Sequence, residues 1–88
     1  MVQLEPNEIS AATLRMKRAH GHLASVIRMM EEGAECEDVL TQLAAVTKAL
    51  SRAGYSVVAT GLQRCLESEE GLEGVDAKKM EKLFMALA

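Results

Sequence analysis

The stretch CEDVLTQLAAVTKALSRAGYSVVATGLQRC, residues 36–65, decides how this chain folds. Within it Val39, Leu43, Val46, Leu50, Ala53 and Val57 recur at alternating gaps of four and three, the spacing of a heptad seam. A parallel row holds Cys36, Leu40, Thr47, Gly54, Val58, Gly61 and Cys65. No proline interrupts either row, so the pattern predicts one helix over 36–66, about 45 Å long. A short chain cannot cover so long a helix by itself. The simplest partner is a second copy, its long helix antiparallel about a two-fold axis.

The pattern repeats upstream with Ile9, Ala12, Met16, Ala19, Leu23, Val26 and Met30, which predicts a helix over 7–32. Asn7 or Ser10 is expected to cap its start, and Gly33 suits the left-handed residue that ends it. Gly21 inside it costs about 1 kcal/mol against Ala unless another backbone packs there. Downstream, residues 67–74 form an acidic, glycine-punctuated connector. Asp76 has the position of an N-cap for a short helix over 77–87, with Val75, Met80, Leu83 and Phe84 apolar. That helix is too short to persist alone and must pack on something. The six Met residues mostly fall on or beside the seams and read as core filler. The expected architecture is all-α, a single three-helix domain over 1–88.

Composition narrows the function. The chain has 88 residues and is 49% hydrophobic but only 2% aromatic, which excludes readers that stack nucleic-acid bases on aromatic platforms. No run of about 20 uncharged apolar residues is present, so no membrane span is expected. The N-terminus lacks the basic and apolar regions of a secretory signal, and two cysteines suit a reducing compartment. The expected location is cytoplasmic.

The charge of −3 is less informative than its distribution. Residues 9–30 hold Arg15, Lys17, Arg18 and Arg28 and no acid; residues 31–38 hold five acids and no base. Residues 39–66 return to bases only, Lys48, Arg52 and Arg64, and residues 67–76 carry five acids. Such runs are either solvated faces or phosphate-contacting surfaces.

Cys36 and Cys65 lie 29 positions apart, about 43 Å along a continuous helix, so they cannot meet within one chain. The same spacing leaves them within roughly 20° on one face. Their midpoint falls between Leu50 and Ser51. Antiparallel pairing about that point sets Cys36 of one copy beside Cys65 of the other. The alternative is that each is a small buried hydrophobe. Acids at 35, 37 and 38 oppose a thiolate at Cys36, whereas Arg64 favours one at Cys65.

Arg15-Met16-Lys17-Arg18-Ala19-His20-Gly21-His22 resembles the R-L-[KR]-R-x-x-G-[QH] signature of the CsoR/RcnR family of bacterial transcriptional repressors, the copper-sensing operon repressor group. The run from Arg28 to Val46, with Cys36, Asp38 and Gln42, is similar to the family's second block, and Leu62-Gln63-Arg64-Cys65 to its L-x-x-C ending. The resemblance covers about 12–86. It implies a three-helix protomer, an antiparallel homodimer of long helices and a disc-like dimer of dimers, a homotetramer. It also implies operator double-stranded DNA as the partner, contacted through Arg15, Lys17, Arg18 and Arg52, with Arg15 and Arg52 foremost. Glu5 and Glu8 stand where members often carry bases, which implies fewer cationic contacts per subunit.

One departure bears on the inducer. Copper-sensing members place a histidine four residues before the second cysteine, where this chain has Gly61; Val2, Gln3 and Leu4 offer no N-terminal ligand. A bare Cys36/Cys65 pair resembles the CstR-type branch, which senses persulfides and related reactive sulfur species, and that chemistry requires no cofactor. Cu(I) is the alternative effector, since two thiolates hold it linearly. Glu81 then stands where copper-sensing members have a carboxylate just outside the ligand set, or it is a surface residue. His20 and His22 point apart on a helix and make a poor metal pair, so His22 is expected to pack as a polar group.

An enzyme is not expected. The chain has no Ser/His/Asp set, no phosphate-binding glycine loop and no C-x-x-C. A structural helical dimerisation module is the remaining reading, and operator binding separates it from a repressor.

Overall fold

A computed structural model of the chain describes residues 4–67 and 77–87, and leaves the side chains of residues 65–67 and 77 undescribed. The acidic connector, Val75 and the cap expected at Asp76 lie outside the described residues. Three helices and no strands are found among them: α1 (Ser10–Glu31), α2 (Cys36–Glu67) and α3 (Ala77–Leu87).

α1 starts three residues later than its periodicity predicts, because a turn claims its N-terminus. Pro6, with its φ fixed near −65°, sits second in the turn Glu5–Glu8, and the Glu8 N–H donates to the Glu5 carbonyl at 3.0 Å. Neither expected cap operates. Ile9 occupies the N-cap with no side-chain cap bond, and the Ser10 hydroxyl donates backwards to the Asn7 carbonyl at 3.2 Å.

The other end follows expectation. Gly33 has φ +76°, the Ala34 N–H donates to the Met29 carbonyl at 2.9 Å, and the Gly33 N–H donates to the Met30 carbonyl at 3.3 Å. This is the Schellman pair of bonds, closing α1 and turning the chain into α2. Nothing crowds the place of a Gly33 Cβ, so only the backbone conformation resists substitution. Gly33→Ala is expected to lower unfolding stability by about 1 kcal/mol in urea titration, with helix content retained.

α1 and α2 pack as a hairpin along a seam of small residues: Ala12, Ala19 and Val26 on one side, Val46 and Ala53 on the other, all buried. Each row steps by seven. The remaining seam positions are less covered within the single chain. Leu43 and Leu50 are about 40% exposed and Met30 is 62% exposed, while Ile9, Met16, Leu23, Val39 and Val57 are only half-buried. Met85 is 63% exposed, so neither it nor Met30 is core filler; Met16, Met29 and Met80 are half-buried. Gly21 meets no neighbour within 4 Å of its Cβ position, so no close packing explains it.

α3 docks where α2 offers a notch. A Cβ on Gly54 would stand 2.9 Å from Leu87 Cδ2, so the missing side chain is what admits Leu87. Beside it the rings of Tyr55 and Phe84 meet at 5.0 Å between centroids, tilted 41°. The chain measures 54 × 26 × 14 Å with a radius of gyration of 16.5 Å. A compact chain of this length would have about 12 Å.

Candidate functional site

Arg15, Arg18 and His22 fall on one face of α1 because their spacing is three then four. Small residues at Ala19 and Ala49 let the two helices approach, and the facing turn of α2 brings in Arg52. These six residues line a cleft of about 390 Å³ between α1 and α2. Three of the four expected DNA-contacting residues thus converge, although two helices supply them. The fourth, Lys17, is exposed on α1 and does not line the cleft.

Among the described residues no carboxylate engages these three guanidiniums. Like charges so gathered repel one another, and an anion entering the cleft relieves that repulsion. Arginine's planar fork of donors matches the oxygens of a phosphate.

His22 has the polar packing role expected of it. Its imidazole lies with Nε2 2.6 Å from Gln42 Oε1, and since an amide oxygen only accepts, the ring N–H donates. This bond ties the cleft wall to α2 six residues beyond Cys36. Its spacing from Arg15 and Arg18 signals that His22 shares their face; its partner depends on how the hairpin pairs.

Cys36 is the first residue of α2, a free and exposed thiol. Cys65 lies near the other end of the same unbroken helix, its side chain outside the described residues. The two positions therefore cannot meet within one chain.

The turn before Cys65 has its own surroundings. Leu4 Cδ2 lies 3.7 Å from where a Gly61 Cβ would stand, and Glu8 Oε1 accepts from Arg64 Nη1 at 3.1 Å. The expected help from Arg64 to a Cys65 thiolate is thus shared with a carboxylate. Periodicity gave no signal for either contact. As for a metal, Gly61 supplies no donor atom, and among the described residues no three His, Cys, Asp or Glu side chains group to hold an ion. Residue 61 thus provides no side-chain ligand one helical turn before Cys65. Glu81 is exposed on α3 in a hollow with Lys78, Lys82 and Met85. No described helix is long and apolar enough to cross a membrane.

Residues 8–88 match the family model described as "metal-sensitive transcriptional repressor". The chain belongs to this family. It is 39% identical over 77 residues to the copper-sensing transcriptional repressor CsoR of Mycobacterium ulcerans, a match covering 88% of this chain and 65% of that one. It is 38% identical over 69 residues to the copper-sensing transcriptional repressor RicR of Mycobacterium tuberculosis, covering 76% and 72%. The uncharacterized protein YrkD of Bacillus subtilis is 44% identical over 55 residues, covering 61% and 84%. The chain thus spans just under two thirds of the length of the Mycobacterium ulcerans relative. No solved structure matches.

Proposed function

We propose that this chain is a transcriptional repressor that grips operator DNA through Arg15, Arg18 and Arg52, with Lys17 adding a contact outside the cleft. The observation that carries the reading is the cluster of three guanidiniums with no carboxylate partner among the described residues. The working unit is an antiparallel homodimer of long helices, paired again into a homotetramer. Two features support this assembly. Among the described residues the fully buried hydrophobic ones are all Ala or Val, a thin core, and Leu40, Leu43, Leu50 and Leu62 stand exposed along α2.

The switch lies at Cys36 of one subunit and Cys65 of its partner, and the inducer is a persulfide. One thiolate attacks the sulfane sulfur of RSSH; the S–S bond breaks and RS⁻ leaves. The second thiolate attacks the new cysteine persulfide at its inner sulfur, the Sγ bonded to Cβ, expels HS⁻ and closes a bridge between subunits. Transfer to both thiols before closure retains one extra sulfur atom in the bridge. Gly61 supports this reading, since it withholds the third donor a metal would use. Because bridge and DNA oppose each other by linkage, bound DNA must disfavour closure by the same factor.

A specific observation favours a second reading. Two of the named relatives, CsoR and RicR, are copper-sensing repressors, and Cu(I) is soft enough to be held by two thiolates alone. Anaerobic intact-mass analysis separates the two. Subunits linked covalently with retained sulfur after persulfide treatment establish the first; tight Cu(I) retention without linked subunits establishes the second. If neither occurs and no DNA is selected from a random duplex library, the chain is a dimerisation module.

A further inference from the structure

The turn Glu5–Glu8 carries the N-terminal residues across the hairpin onto the far end of α2. It is fastened at two points. Leu4, half-buried, lies against Gly61, and Glu8 is paired with Arg64. Gly61 is one helical turn before Cys65 on the same helix face, and Arg64 is its neighbour in the chain. Between the fasteners a cleft of about 300 Å³ remains, lined by Glu8, Thr60, Gln63 and Arg64. A side chain reaching beyond Cβ at residue 61 would have to displace Leu4 or turn away from it. The glycine and the leucine therefore fit each other.

We propose that residues 4–9 form a strap that restricts access to the turn carrying Cys65, with Leu4 and Glu8 as its fasteners. They act as positioning and specificity residues for the second thiol. The biological meaning of the strap rests on the proposed sensing role of Cys65; its packing on residues 61 and 64 does not. Neither fastener is strong. An ion pair this exposed is worth little, and one half-buried leucine contributes modestly, so the strap opens often and is easily loosened. Such a barrier slows every reagent and slows bulky ones most.

The test uses the full-length chain with Cys65 as its single thiol, the Cys36→Ala variant. Cys65 is alkylated by iodoacetamide, its thiolate displacing iodide, and the rate is followed by mass. Adding Leu4→Ala is expected to raise that rate about fivefold, and Leu4→Ala with Glu8→Gln about tenfold. The matching Cys65→Ala set, which reports Cys36 at the other end of α2, is expected to keep its rate. Unchanged rates at Cys65 overturn the strap. So does equal acceleration at both thiols, which reports general loosening. A gain from Glu8→Gln with none from Leu4→Ala also overturns it, because the effect is then the charge of Arg64 and not access. The outcome is independent of the inducer: variants that react faster in a chain indifferent to persulfide keep the strap and remove the sensing reading.

Discussion

With Arg15→Ala and Arg52→Ala combined, operator affinity is expected to fall by at least about 100-fold, measured by fluorescence anisotropy at fixed salt. Each guanidinium–phosphate contact is a charge-assisted hydrogen bond worth about 1.5–3 kcal/mol, and the two residues sit on different helices facing one cleft. The salt dependence discriminates more sharply than the affinity. Each lost phosphate contact should lower the slope of log K against log salt by about 0.9 per subunit engaged. The loss should be nearly uniform across operator variants, since phosphate contacts position a protein without reading sequence. Lys17→Ala, outside the cleft, is expected to cost less than Arg52→Ala. A double variant that binds DNA like the parent would show the cleft to be a solvated cationic surface.

Cys36→Ala is expected to bind operator DNA with parental affinity and to lose its response to inducer entirely. Cys36 is exposed and starts a helix, so its removal leaves no cavity. Persulfide treatment should then yield no linked subunits, and DNA should stay bound under conditions that release the parent. Cys65→Ala should lose the response too, because the bridge requires both ends. Loss of DNA binding in Cys36→Ala would instead make the thiol structural and end the sensing reading.

Particular residues show how far the sequence alone reaches. The length of α2 follows from heptad spacing, and the end of α1 from Gly33, since backbone sterics at one residue decide it. The start of α1 misleads, because Asn7 and Ser10 are good capping types while Pro6 commits Asn7 to a turn and leaves Ser10 as the first helical residue. Periodicity merged two rows of α2 into one seam. Val46 and Ala53 face α1, whereas Leu43 and Leu50 stand exposed, and a gap pattern does not say which partner each row meets. Arg15 and Arg18 share a face by spacing alone. Their meeting with Arg52, and that of His22 with Gln42, depends on hairpin register, which no local signal encodes. The fasteners Leu4 and Glu8 belong to a segment with no period at all.

The smallness of the residues between α1 and α2 has a mechanical consequence. Long side chains interlock like gear teeth, and moving one helix then means lifting each tooth from its socket. Ala12, Ala19 and Ala53 are closer to a polished bearing, with few interlocking contacts to resist a small slide or roll of α1. Arg15 and Arg18 ride on the moving part and Arg52 on the fixed one. In the proposed switch, a bridge at the ends of α2 would bear on the width of the cleft at its middle.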